Sequence, residues 1–169
     1  MASRDYEEFI AALNARGVRY LIVGAHALAL HARPRATKDL DILIDPTPAN
    51  ARKVLAALGD FFGGVDLGYS VEDVIDPRWI VQLGAAPVRI DLLPGIPGFA
   101  GFGAAWKNRV NAHFGAIPAH YIGLDDLIAA KKAACRPQDR ADLRILKRAR
   151  HGMPLTARSR RRWGKTRRE

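Results

Sequence analysis

The sequence predicts an α/β (α+β) domain, a mixed β-sheet flanked by helices and closed by a C-terminal helical pair. Three observations carry that prediction. Short apolar, β-branched runs at residues 18–23, 39–44 and 88–93 alternate with segments of helical periodicity. The last such segments, 125–134 and 138–150, are helical and separated only by residues 135–137, which hold the Arg136-Pro137 break. The 169 residues are 49% hydrophobic and 26% charged, enough apolar material for one sizeable core.

Each element has its own signal. Asp5 and Glu8 stand at capping-box spacing, and Tyr6, Phe9, Ile10 and Leu13 recur at helical intervals until Gly17. Residues 18–23 read as a buried strand that Gly24 breaks, and 25–32 return to helix-forming composition. Residues 39–44 form a second strand, closed by Asp45-Pro46. Thr47 then caps a helix with Pro48 at its first position, Val54, Leu55 and Leu58 on one face and Gly59 at its end. Residues 61–68 form a glycine-bearing connection, and a short helix follows around 70–74. Two strands, 79–83 and 88–93, flank Gly84-Ala85-Ala86-Pro87. The glycine- and proline-rich stretch 94–103 reads as a loop over a site, 104–110 as helix and 116–121 as extended chain.

Charge is unevenly distributed. Ten of the 27 basic residues and one of the 17 acidic ones lie from Lys147 onward, leaving 17 basic and 16 acidic in positions 1–146. The formal charge of +10 thus belongs to the C-terminal end. Residues 1–150 are expected to be the folded domain and 151–169 a flexible basic tail that grips RNA through phosphate contacts. No apolar run is long enough to span a bilayer, and one cysteine, Cys135, excludes an internal disulfide framework. A cytoplasmic protein with no membrane partner is expected. Five scattered histidines and one cysteine give no zinc-ligand spacing.

The chemistry concentrates in Asp39-Leu40-Asp41. Side chains alternate along a strand, so Asp39 and Asp41 share a face while Leu40, Ile42 and Ile44 anchor the other. Paired carboxylates repel unless a cation or proton intervenes, and Mg²⁺ suits oxygen ligands. Upstream, the strand-to-helix turn at Val23-Gly24-Ala25 leaves backbone N–H groups free for a phosphate. Downstream, Asp91 falls on the same face as Arg89 and opposite Val88, Ile90 and Leu92, where it would complete a three-acid cluster.

Gly24-Ala25, then Asp39-x-Asp41 and a later strand Asp91, resemble the DNA-polymerase-β-type nucleotidyltransferase superfamily. Residues 23–44 are similar to small bacterial nucleotidyltransferase-like proteins related to AbiEii-type toxins. Residues 122–146 resemble the C-terminal helical motif of those proteins. The resemblance implies a nucleotidyltransferase fold and transfer of a nucleoside monophosphate from an NTP to an acceptor hydroxyl of RNA, tRNA or protein. It implies Mg²⁺ or Mn²⁺ on Asp39, Asp41 and Asp91, with Asp91 helping to deprotonate the acceptor. It implies nucleotide and phosphate contacts at Gly24, Ala25, Arg35, Thr37, Lys131 and Asp142, with Asp139 matching the motif beside Asp142. A toxin–antitoxin role with a cognate protein partner is part of the same implication. Ala25 departs from the usual serine or glycine: the backbone amide survives and a side-chain hydroxyl does not.

Other residues have plainer readings. His26 and His31 suit packing, Lys131 and Lys132 suit a solvated helix face, and Asp139 and Asp142 could pair with Arg136 or Arg140. Ala25 and the basic tail also leave open a second function, a catalytically weakened nucleotide- or RNA-binding regulatory or antitoxin-like protein.

Overall fold

The computed structural model describes residues 4–34, 36–85 and 88–152. Seven helices surround a mixed six-stranded sheet of order β3-β4-β2-β1-β6-β5. The strands are β1 (Tyr20–Ile22), β2 (Asp39–Ile44), β3 (Val81–Ala85), β4 (Val88–Leu93), β5 (Val110–Phe114) and β6 (Ile117–Tyr121). β1 is antiparallel to β2 and parallel to β6, while β2 and β4 are parallel. Antiparallel β3 and β5 close the two edges.

The helices are α1 (Arg4–Ala15), α2 (Gly24–His31), α3 (Pro48–Phe61), α4 (Val71–Ile75), α5 (Phe102–Lys107), α6 (Leu124–Ala134) and α7 (Pro137–Arg150). α1 buries Tyr6, Phe9, Ile10 and Leu13, the periodic face of its sequence. The three residues of β1 are fully buried at the sheet centre. α3 starts as expected: the Thr47 hydroxyl accepts from the Asn50 N–H, and Pro48 stands in the first turn. Buried Asn50 accepts from the Arg19 N–H at 2.8 Å and donates to the Asp45 carbonyl at 3.0 Å, fixing the entrance of β1 beside the end of β2.

Several boundaries differ from the sequence reading, each for a packing reason. α3 continues through Gly59 to Phe61, because Phe61 packs edge-on against Phe9 at 5.2 Å. That contact outweighs the weak helix propensity of one glycine. β3 begins at Val81 instead of residue 79, with Trp79 62% and Ile80 57% exposed. Residue 110 falls at the end of the stretch read as helix and 111–114 carry no reading, yet residues 110–114 form β5 against β6. Only Phe114 of that edge strand is buried, so the run carries no clear alternation. α6 starts at Leu124 after Gly123 instead of at 125, which puts Asp125 and Asp126 in the first turn, where the helix dipole favours carboxylates. Cys135 ends α6 in the left-handed region at φ 51°. Residues 153–169, most of the expected basic tail, lie outside the described residues. Among the described residues no helix is long and apolar enough to cross a membrane.

His26 packs between Tyr6 and Phe114, with ring centroids 6.0 and 5.0 Å away. Its buried Nε2 has no hydrogen-bond partner among the described residues, and burial pushes its pKa down. The unfolded chain therefore binds a proton that the folded chain resists, so stability falls as pH drops below about 6.5. His120, lowered by burial and by Arg109, acts in the same direction. A His26→Leu protein is expected to lose less melting temperature than the parent between pH 7.5 and 5.5 in thermal scans, and an equal loss in both would refute this account.

Candidate active site

The parallel pairing of β2 with β4 sets Asp39 opposite Arg89 and Asp41 opposite Asp91. All four side chains project from one face, because equal register and equal strand parity point them the same way. Arg89 Nη2 donates to Asp39 Oδ2 at 2.8 Å and to Asp91 Oδ2 at 3.2 Å. Its Nε lies 3.2 Å from Asp91 Oδ1, an ion pair without hydrogen-bond geometry. From β3, Gln82 Nε2 donates to Asp91 Oδ1 at 3.1 Å. The structure thus brings the three sequence-selected acids together and threads a guanidinium between two of them.

Asp41 is the electrostatic centre. Burial raises its pKa to about 6, assisted by the negative charges of Asp91 and Asp39, while Arg136 and Arg89 pull it back. Gly24 opens α2 at φ 62°, and a Cβ on it would collide with the Asp41 carboxylate. Glycine is therefore required here twice, for its backbone conformation and for the space. α2 has no side-chain cap and no acid in its first turn, and its first backbone bond runs from the Ala27 N–H to the Val23 carbonyl. The N–H groups of Gly24, Ala25 and His26 precede that bond, beside the Asp41 carboxylate. Ala25 itself is buried.

The remaining sequence-selected residues fall differently. The Thr37 hydroxyl accepts from the Asp39 N–H and donates to its carbonyl, both at 3.2 Å, so it shapes the entrance of β2. Arg35 lies outside the described residues. The expected phosphate contact Lys131 is buried, its ammonium held by Asp142 at 2.7 Å and Asp139 at 3.1 Å. Asp139 also accepts from Arg136 Nε at 2.8 Å. Burial would raise the Asp139 pKa, but hydrogen bonds from Arg136 and Lys131 outweigh it and hold the carboxyl below its usual value. Lys131, Asp139 and Asp142 thus form an internal clasp that joins α6 to α7, and their amine and carboxylates are committed to each other. The solvated-face reading of Lys131 fails for the same reason, whereas Lys132 is exposed.

Two residues at the site escaped the sequence reading. The Tyr6 hydroxyl donates to the Lys38 carbonyl at 2.7 Å and accepts from the Arg89 N–H at 3.3 Å, bridging the entrances of β2 and β4. Its sequence signal was only that of one apolar position on α1. Arg136, the residue before α7, lies close enough to Asp41 to lower that carboxyl. The Arg-Pro break marked its position, and nothing in the sequence marked its proximity to β2.

Residues 2–162 match the model of the family described as nucleotidyl transferase of unknown function (DUF2204). The chain belongs to that family. Its fold is similar to the crystal structure of a "putative nucleotidyltransferase" from Thermotoga maritima. That match has a TM-score of 0.52 and 14% identity, and covers 85% of this chain and 93% of the other. No curated protein matches significantly. The nucleotidyltransferase fold expected from residues 23–44 is therefore present; the AbiEii-type specificity has no support in these matches.

The clasp yields a stability prediction. Lys131→Met strands the buried Asp142 carboxylate, and should cost about 3–5 kcal/mol in urea unfolding. Adding Asp142→Asn should restore much of it. A single variant as stable as the parent would show that the clasp contributes nothing.

Proposed function

We propose that this nucleotidyl transferase family member moves a nucleoside monophosphate from an NTP to an acceptor hydroxyl of RNA, tRNA or protein, in a Mg²⁺- or Mn²⁺-dependent reaction. One observation supports it above the others: Asp41 stands in register with Asp91 and beside Asp39, against the uncapped start of α2 at Gly24. The donor set suits a divalent ion, because three carboxylates share one face, and burial together with the charges of Asp91 and Asp39 raises the Asp41 pKa. Among the described residues no three acids are yet drawn into an ion-binding cluster, and Arg89 stands between Asp39 and Asp91 instead. Arg89 would have to swing aside for Asp39, Asp41 and Asp91 to hold metal.

When bound, a divalent ion would supply Lewis-acid activation of the acceptor hydroxyl and charge neutralisation at the phosphates. The chain's own groups do the rest. The N–H groups at Gly24 and Ala25 hold phosphate oxygens, and Asp91 accepts the proton of the acceptor hydroxyl. The acceptor O–P bond forms, the bond to the leaving pyrophosphate breaks, and pyrophosphate departs with its electron pair. Arg136 is the exposed cation placed to balance charge beside Asp41. Buried Lys131 acts through the clasp, by positioning Arg136. A cytoplasmic toxin role, paired with a cognate antitoxin, is the finer reading that the sequence motifs favour. Arg89 between the acids and the missing hydroxyl at Ala25 favour a second reading, a weakened domain that binds nucleotide or RNA without turnover.

Two measurements test the site. Asp41→Asn should abolish Mg²⁺-dependent labelling from an α-³²P NTP while melting no lower than the parent, since it removes a repelling charge. Full labelling in that folded variant would end the assignment. Arg89→Ala should bind Mn²⁺ at least several-fold more tightly than the parent by electron paramagnetic resonance titration, because it removes the competing cation. Unchanged or weaker binding would show that Arg89 does not occupy the ion's place, and no binding by either protein would favour the non-catalytic reading.

A further inference from the structure

The termini of α2 and α7 suggest where an acceptor lies. α2 begins at the acids, with Gly24 against Asp41, and α7, which begins just after Arg136, packs against α2. They also meet farther along. Arg33, just past the end of α2, joins Arg144 and Arg148 of α7 around a cavity of about 230 Å³ floored by Ala141 and Ile145. At 1.5 Å per residue, Arg144 and Arg148 stand about 12–18 Å along α7 from Arg136.

The charge along this route is one-sided. Arg136, Arg140, Arg144 and Arg148 recur every fourth residue, so they form a strip along α7, and all four are exposed. Arg136 is engaged with Asp139. Among the described residues, Arg33, Arg140, Arg144 and Arg148 make no ion pair, although arginines elsewhere on the surface do, as Arg16 does with Asp60 and Arg78 with Asp76. The acids of α7, Asp139 and Asp142, are buried in the clasp, and Arg136 is the one member of the strip that either of them pairs with. A strip of guanidinium groups one helix wide, lining a cavity too small for a duplex, matches the spaced phosphates of a single strand.

We propose that the cleft between α2 and α7 binds the phosphate backbone of a single-stranded nucleic acid and leads its terminal hydroxyl to Asp39, Asp41 and Asp91. Arg33, Arg144 and Arg148 hold the strand a few nucleotides from its end, and Arg140 and Arg136 guide it to the acids. The contacts are to phosphates, so the cleft selects a strand and not a base sequence. The acceptor assignment rests on the proposed nucleotidyl transfer; the binding site does not.

The test uses the full chain and a fluorescein-labelled 12-nucleotide oligouridylate, with binding read by anisotropy at several NaCl concentrations. The Arg33→Gln/Arg144→Gln/Arg148→Gln variant should bind at least ten-fold more weakly at 100 mM salt. Its log affinity should fall less steeply with log salt, by about 2, since each single-strand phosphate contact contributes about 0.7. An Arg52→Gln/Lys107→Gln/Lys132→Gln control loses the same charge outside the cleft and should change affinity less than three-fold. Melting temperature monitors folding, and the single Arg144→Gln variant, with a slope change of about 0.7, serves if the triple variant melts low. Equal losses in cleft and control variants, or parental affinity in a folded cleft variant, would overturn the site. So would inorganic tripolyphosphate displacing the oligonucleotide at stoichiometric concentration, which would make the cleft a pocket for free triphosphate. The acceptor role is read separately: with NTP and Mg²⁺, the cleft variant should show a higher KM for an unlabelled oligonucleotide at unchanged kcat. Label that never enters the oligonucleotide would overturn the acceptor role alone. Retained strand binding by Asp41→Asn without labelling would separate failure of the chemistry from failure of the cleft.

Discussion

The parallel register of β2 against β4 is the constraint on which the site depends. Pairing Asp41 with Asp91 and Asp39 with Arg89 forces three carboxylates and one guanidinium onto a single face. Leu40, Ile42 and Ile90 lie on the opposite face in the core, so a slip of one residue would bury the acids and expose the aliphatics. Hydrophobic burial thereby holds like charges together at a distance that their own repulsion opposes. Burial raises the Asp41 pKa, the charges of Asp91 and Asp39 add to the rise, and Arg136 and Arg89 offset it only in part.

Around that face the fold arranges its supports by function. Tyr6 reaches from α1 to the entrances of both acid-bearing strands, so the first helix both fills the core and fixes the register. α2 brings an uncapped N-terminus against Asp41 at the only spacing a glycine allows. The clasp of Lys131 with Asp139 and Asp142 ties α6 to α7, and Asp139 also holds Arg136 at the start of α7. A buried ion network of this kind contributes little net stability compared with apolar packing, but it fixes which helix faces meet. Lys131, Asp139 and Asp142 thus hold one another, while among the described residues Arg140, Arg144 and Arg148 of α7 make no ion pair and Arg150 pairs with Asp125.

Asp39, Asp41 and Asp91 could be selected from one sequence because strand parity is a local property: period two decides the face without knowledge of neighbours. The Gly24 turn was legible for the same reason, since a glycine between a buried strand and a helix marks a break in the backbone. Thr47-Pro48 was likewise a local signal. β5 was not legible, because an edge strand with one buried residue leaves no alternation to read. Gly59 misled because the contact that overrides it, Phe61 on Phe9, joins residues far apart in sequence.

The sequence alone determined the order of elements, the parity of the acids and the concentration of positive charge toward the C-terminal end. Tertiary structure decided which charges meet. Lys131 looked like a solvated or phosphate-facing lysine, and only the packing of α6 on α7 buries it between two carboxylates. Arg89 shared a strand with Asp91, but its contact with Asp39 exists only because β2 and β4 pair in parallel. Local periodicity tells a side chain which way to point. What it points at depends on elements brought together by burial of their other faces, and that information is not local to any stretch of the chain.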